Sequence, residues 1–448
     1  MMTNPTLQNN TFDSIVARII ALRRKHPPPL RGFRKKVRHV VILASSSRGG
    51  SSLTAEILRR STSMLHFRGE MNLFLKLSGH SYPQSNTGSD ALCETDLGNA
   101  ELLETLFGYD IGRPYFGIFS DREERLFSEE LYFRLSVQWP FEIFCPYQVR
   151  DWVRKTITVL VKEYGWKPYS FEDTKMFHLL FLKFVKSKHP KVSPWYYDIP
   201  SEWIRYHFPN NVPLNALPSP VIIEESPFIT VGPWRNAFES DLDKPLIIKT
   251  PSNVFRLDFF RAFFPNATLR IIHLTRNAAA SINGLYDGWR FRGFFSCDLT
   301  GRLDIKDYSD DGLPYGKNWW KFDLPPFWEN FTSKSLWEVC RYQWLGAHHA
   351  VFDFVEKNHI DTKLIRFEDL IDTKERQMKT IKKLLDWLII PIDRTLVSAI
   401  ERGLPPIMAT HPPEKSRWLK RYDIIHPLIR QPEVLETMER MGYKGEES

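Results

Sequence analysis

The sequence predicts an α/β fold in which a parallel sheet is flanked by helices and interrupted by a large helical, aromatic-rich insertion. Three observations lead there. Short apolar runs of β-branched type recur at Val40–Ala44, Leu246–Lys249, Leu269–Leu274 and Lys363–Phe367. Segments with helical spacing follow them, at 53–60, 253–263, from Ala279 onward, at 334–357 and at 374–388. A turn rich in serine and glycine joins the first run to the first of those helices. Strands that alternate with helices pair in parallel with both faces covered.

At 448 residues the chain exceeds an ordinary single core, which calls for two domains or one domain with an insertion. Phe12, Ile15, Val16, Ile19 and Ile20 share a helical face, and a basic cluster from Arg23 to Arg38 follows. Residues 26–32, HPPPLRG, cannot continue a helix because proline lacks the donor and fixes φ. Residues 1–37 therefore read as a basic N-terminal arm and Pro-rich linker, and 38–448 as one domain with its insertion at about 86–245. The linker is expected to separate the arm from the first strand, so that removing residues 1–36 leaves the site intact. The arm's helix either packs on the core or makes a peripheral contact with an anionic membrane. The insertion holds Trp139, Trp152, Trp166, Trp195, Trp203 and Trp234, which suit either a core or a binding pocket.

Composition narrows the function. The net charge of +8 invites a nucleic-acid reading, but residues 1–55 hold ten Lys or Arg against the single Asp13 and the rest is close to balance. A polynucleotide groove needs basic residues spread over a folded face, so no nucleic-acid partner is expected. No apolar run approaches the roughly 20 residues that span a bilayer, and the polar start is unlike a secretory signal; a cytoplasmic protein is expected. Cys93, Cys145, Cys297 and Cys340 are far apart, which indicates neither a disulfide framework nor a zinc site.

Chemistry is concentrated at strand ends. Ser45-Ser46-Ser47-Arg48-Gly49-Gly50-Ser51-Ser52-Leu53 lies between a strand and a helix, where glycine lets the backbone approach a ligand and helix amides point at it. This is a phosphate cradle, P-loop-like in position but without the GxxxxGK[ST] pattern of ATP and GTP users. Arg276 closes a buried strand, and a guanidinium matches a phosphate bidentately. Lys249 closes another, a position poorly explained by burial alone.

The loop resembles the 5′-phosphosulfate loop of the sulfotransferase family that uses 3′-phosphoadenosine 5′-phosphosulfate (PAPS). Four further stretches resemble that family in the same order: LIIKTP at 246–251, FFPNA at 263–267 with IIHLTRN at 271–277, LIRFEDL at 364–370, and Lys415-Ser416-Arg417-Trp418. The resemblance leaves the insertion uncovered. It implies a sulfuryl transfer from PAPS, without metal, to a small-molecule, carbohydrate or lipid acceptor bearing a hydroxyl or an amine.

Carried onto this chain, the resemblance places Arg48, Gly49, Gly50, Ser51, Ser52 and Leu53 on the phosphosulfate and Arg276 on the 3′-phosphate. Ser416, Arg417 and Trp418 would cover the nucleotide. The family serine eight residues after the arginine is here Gly284, and Ser281, one turn earlier, is the substitute. Glu70 stands twenty-two residues after Arg48, like the base of the carbohydrate and tyrosyl-protein branch; His66 and His80 are its rivals. Arg48 and Lys249 would neutralise charge on the leaving oxygen. Asp287-Gly288-Trp289 and Glu224-Glu225 suit either an acceptor pocket or a turn and a solvated pair. Arg366, Glu368 and Asp369 are expected to be structural. The alternatives are a phosphotransferase of related fold and a catalytically decayed nucleotide-binding protein.

Overall fold

The computed structural model describes residues 5–25, 27–167, 171, 173–403, 406–411, 414 and 416–443. Its strands in chain order are β1 (His39–Ala44), β2 (Leu65–His66), β3 (Gly112–Pro114), β4 (Trp234–Asn236), β5 (Leu246–Lys249), β6 (Thr268–Thr275), β7 (Phe295–Asp298), β8 (Trp319–Lys321) and β9 (Thr362–Arg366). A 7-stranded sheet has the order β4-β3-β2-β5-β1-β6-β9, and β7 with β8 forms a separate antiparallel ribbon. From β2 to β9 every neighbour is parallel; β3 and β4 join antiparallel at the β2 edge.

The central strands are buried on both faces, which explains why they read as unbroken apolar runs. Along β1, Val40 and Ile42 enter one core with Leu246 and Ile248, whereas Val41 and Leu43 enter another with Ile247 and Ile272. Helices Ser51–Leu58, Lys374–Leu388 and Arg394–Arg402 close the second face through Ile57, Leu384 and Leu396. Helix Leu257–Phe263 closes the first through Phe259, Phe260 and Phe263.

The N-terminal arm packs on this body. Helix Pro5–Arg23 seats Ile15 and Ile19 in the first core, and Leu30 and Phe33 of the segment after the prolines are buried there too. Arg23 pairs with Glu130 at 2.7 Å and lies over the Phe133 ring. The prolines end the helix, as expected, but the chain beyond them runs on along the core. Residues 1–4 and His26 lie outside the described residues.

The regular structure of the 86–245 segment is chiefly helical, and the segment also supplies β3 and β4 to the main sheet. Helices Asp121–Gln138, Pro146–Tyr164, Thr174–Lys188 and Ser201–His207 build their own core, and Trp139, Trp152 and Trp195 are buried in it. Trp166 and Trp203 pack against that core, and Trp234 is in β4. Five of the six tryptophans of the insertion are therefore packing residues.

Candidate active site

Because β5, β1 and β6 are parallel neighbours, their carboxyl ends open at one edge of the sheet, where ligands of such sheets bind. Register sharpens this: Leu43 lies opposite Lys249, and Ala44 opposite His273, two residues before β6 ends. The chain leaves β1 into the serine-glycine turn, β5 at Lys249 and β6 at Arg276. Three polar features scattered over 230 residues of sequence are thus brought to one edge.

The turn is tightly determined. The Gly49 amide donates to the Ser46 carbonyl at 3.0 Å, and Arg48 and Gly50 both take positive φ, 63° and 96°. An added Cβ at Gly50 would overlap the Phe367 ring. Helix Ser51–Leu58 starts immediately afterwards, so its first amides, which have no intrahelical acceptor, open at the turn with the positive end of the dipole.

Two guanidiniums flank those amides. Arg48 Nη1 donates to the Met408 carbonyl at 2.7 Å, and Arg276 Nη1 donates to the Arg48 carbonyl at 2.9 Å. Arg276 lies 5.3 Å over the Phe367 ring, and Arg48 lies 5.4 Å over Phe294. Burial, then the neighbouring Arg276 and Arg417, pull Arg48 down to about 10. Burial lowers Arg276 as well, with Arg417 adding to it against the opposing pull of Glu368. Among the described residues neither guanidinium pairs with a carboxylate, and Arg48 Nε is buried without a partner. Cations held together in a desolvated place with no carboxylate paired to either make an anion site.

A cavity of about 1010 Å³ opens over this edge, walled by Arg48, Gly50, Ser51, Ser52, Leu53, Arg276, Ser416, Arg417 and Trp418 together with Glu70. Gly49 shapes the turn without reaching the wall. Lys249 is buried, and its Nζ donates to Glu70 and to Ser52 Oγ, at 3.0 Å for the latter, tying the carboxylate to the loop. Lys415 lies outside the described residues; beyond it Ser416 takes φ 57° and Trp418 stacks on Tyr422. Arg417 and Arg421 both pair with Asp287, at 2.6 and 2.8 Å, so that aspartate tethers the C-terminal segment. Trp289 is fully buried and donates to Gln343.

Ser281 is buried away from the wall, its hydroxyl without a partner. Gly284 is on the wall, where a Cβ would stand 3.3 Å from that of Arg48 and 4.0 Å from Arg276 Nη1. His66 is buried in β2 and held well below the ordinary histidine range by burial, and His80 is bonded to Ser78 Oγ; neither reaches the cavity. Glu368 accepts from the Asn277 amide at 2.9 Å and from the Tyr443 hydroxyl, and Asp369 pairs with Arg376. Both carboxylates fasten the end of β9 while also facing the cavity, as does Arg366.

Sequence reasoning missed Asp323, just beyond β8, which is on the wall with its carboxyl pushed up to about 7 by burial and by the nearby Asp90. An isolated aspartate two residues after a lysine carries no pattern. It also left Glu225 ambiguous. That carboxylate is on the wall too, raised by burial, and accepts from Ser296 Oγ at 2.8 Å and Asn72 Nδ2 at 3.2 Å.

No protein-family model matches this chain, and no curated protein matches it. Solved structures similar to it include a sulfotransferase domain from the curacin biosynthetic pathway, 11% identical with a TM-score of 0.37, over 91% of this chain and 99% of that one. The sulfotransferase STF9 from Mycobacterium avium is 11% identical with a TM-score of 0.37, over 98% of this chain and 86% of that one.

Proposed function

We propose that this protein is a sulfotransferase that moves a sulfuryl group from PAPS to a hydroxyl or amine acceptor. The observation that carries the reading is the buried pair Arg48 and Arg276, without a carboxylate partner, beside the open amides of helix Ser51–Leu58. Such a place favours an anionic ligand, and the cavity of about 1010 Å³ is large enough for a nucleotide with an acceptor. The loop puts an arginine before its glycines and lacks the lysine that follows them in ATP- and GTP-binding loops.

The residues present fit such a donor: Arg48, whose Nε has no partner, Gly50, Ser51 and Ser52 at the start of the helix, and Arg276 all line the same cavity. Arg48 and residues 50–53 would hold the 5′-phosphosulfate and Arg276 the 3′-phosphate, with Trp418 and Ser416 covering the nucleotide. When bound, the donor supplies an activated sulfuryl group whose phosphate oxygen is the leaving atom. Glu70 takes the proton from the acceptor as its oxygen or nitrogen bonds to sulfur. Arg48 and the helix amides would meet the charge that grows on the departing oxygen. Lys249 holds Glu70 in position relative to Ser52.

Replacing Glu70 by Gln tests this assignment, because the amide keeps the shape but cannot accept the proton. Turnover of PAPS with an acceptor should fall by roughly 10²–10⁴, the usual contribution of a general base, while affinity for 3′-phosphoadenosine 5′-phosphate (PAP) is kept. Arg48→Ala should damage both. Near-normal turnover in Glu70→Gln would remove the carboxylate from the mechanism.

A further inference from the structure

Several carboxylates share the cavity wall, and their compensation differs. Glu70 pairs with Lys249, Glu224 with Arg134 at 3.2 Å, and Glu225 faces Lys76 at 3.8 Å. Asp323 pairs with no cation among the described residues. It is 1% exposed, Ser252 Oγ donates to its Oδ1 at 2.8 Å, and its Oδ2 has no hydrogen-bond partner. A buried carboxyl oxygen without a partner, in a residue that lines a cavity, costs stability unless a ligand completes it.

The backbone presents this side chain rigidly. Phe322 takes φ 62°, the left-handed region, and Gly288 leaves the space that its ring fills. The Asp323 carbonyl then accepts from Trp320 Nε1 at 2.8 Å and Gln343 Nε2 at 2.7 Å. Strain held in place by surrounding contacts is a mark of functional positions. Lys321, on the same ribbon, is turned away: its Nζ donates to the Phe291 carbonyl and lies over the Phe295 and Tyr315 rings.

We propose that Asp323 receives a protonated amine of the acceptor, so that the acceptor is a cation whose ammonium is a separate group from the one facing Glu70. The inference rests on the sulfotransferase reading for the word acceptor but not for the ammonium site itself. Asp323 Oδ2 takes the ammonium, the rings of Phe294 and Phe322 on the same wall flank its carbon skeleton, and Glu225 adds a second carboxylate. A neutral alcohol completes the hydrogen bond but leaves the charge unmatched.

The charges facing Asp323 are Asp90, which favours its protonated form, and Arg256, which opposes it from its own pairing with Asp90 at 2.6 Å; the Ser47 and Ser252 hydroxyls also favour the ionised form. Glu225 on the same wall is acted on by Lys76, which opposes its raised value, and by Glu70 and Asp90, which add to it; Glu224 lies beside it, paired with Arg134. Since Asp323 titrates near neutrality, an ammonium that needs it ionised should bind more tightly as pH rises through that region.

Benzylamine, protonated throughout the range used, is the probe, with benzyl alcohol as its neutral counterpart. Calorimetric titration into the PAP-loaded full chain should show the benzylammonium affinity rising about tenfold from pH 6 to pH 8, as the competent fraction grows, with benzyl alcohol weaker and flat. Asp323→Asn should abolish the preference. Equal binding of the alcohol, a flat profile for the amine, or a preference that survives in Asp323→Asn would each overturn the proposal. Should that variant fail to fold, the wild-type pH series decides alone. If PAP itself does not bind, the donor reading falls instead, and the same amine series on the free protein still decides the Asp323 site.

Discussion

At Gly50 two constraints coincide, a φ of 96° and the Phe367 ring in the place of a side chain, and either alone would call for glycine. Gly50→Ala should cost at least ~1–3 kcal/mol from the backbone alone, read as a shift of the urea midpoint, with part regained when Phe367 is also truncated. An unshifted midpoint would mean that the loop is looser than described. Arg276 meets a different test. Its loss should weaken PAP binding by about 1.5–3 kcal/mol, the range for a charged hydrogen bond; unchanged calorimetric affinity would move the 3′-phosphate elsewhere. Asp323 leaves a signature in stability too. Its folded pKa of about 7 lies above the ordinary value of 3.8, so the native state keeps a proton that the unfolded chain has released. That stabilisation is present at acid pH and is lost as pH rises toward and through 7. Asp323→Asn should therefore gain melting temperature on the wild type as pH is raised from 5 to 8, and a constant gap would contradict the burial argument. Among residues, the legible ones were those with a pattern around them: the glycines of the turn, and Arg276 at the end of an apolar run. Asp323 was silent because what defines it, an unpartnered oxygen on a cavity wall, is made by Ser252 and the β7–β8 ribbon, far from it in the chain or without a motif.

Among elements, the long central strands were read closely because burial on both faces leaves a continuous apolar run. Leu246–Lys249 matches β5 end for end, and 269–274 falls one residue short of β6 at each end. β2, β3 and β4 have two or three residues each, include Gly112, Pro114 and Asn236, and exist only because an edge was there to pair with; nothing local announces them. The N-terminal helix shows the converse case. Its apolar face at Ile15 and Ile19 was visible, but only tertiary packing could say whether core or membrane covers it. Ile19 is 0% exposed in the first core, so Ile19→Ala should cost about 2–5 kcal/mol, and removing residues 1–36 should lower the melting temperature rather than leave it unchanged. An undiminished melting temperature in the truncated chain would show that the helix does not hold the body together.

At the scale of the whole molecule, the order β5-β1-β6 is what turns scattered residues into a site. A turn, a lysine and an arginine arrive at one sheet edge because three parallel strands end there. The C-terminal segment then closes over it, with Arg417 and Arg421 tethered to Asp287 and the Met408 carbonyl on Arg48. The insertion and the β7–β8 ribbon contribute Glu225, Phe322 and Asp323 from outside the sheet, and that is the part of the wall with acidic and aromatic character. The side of the cavity that holds the loop and Arg276 therefore follows from topology, while the acidic and aromatic side follows from packing between segments whose sequences carry no common pattern. In the proposed function two anionic groups bind at this edge, one on the loop and one on Arg276. Thermal unfolding in the presence of PAP, AMP and ATP, without added metal, probes both positions, since a ligand that binds only the native state raises its stability. PAP should raise the melting temperature well above either of the others; equal shifts with PAP and AMP would contradict the claim.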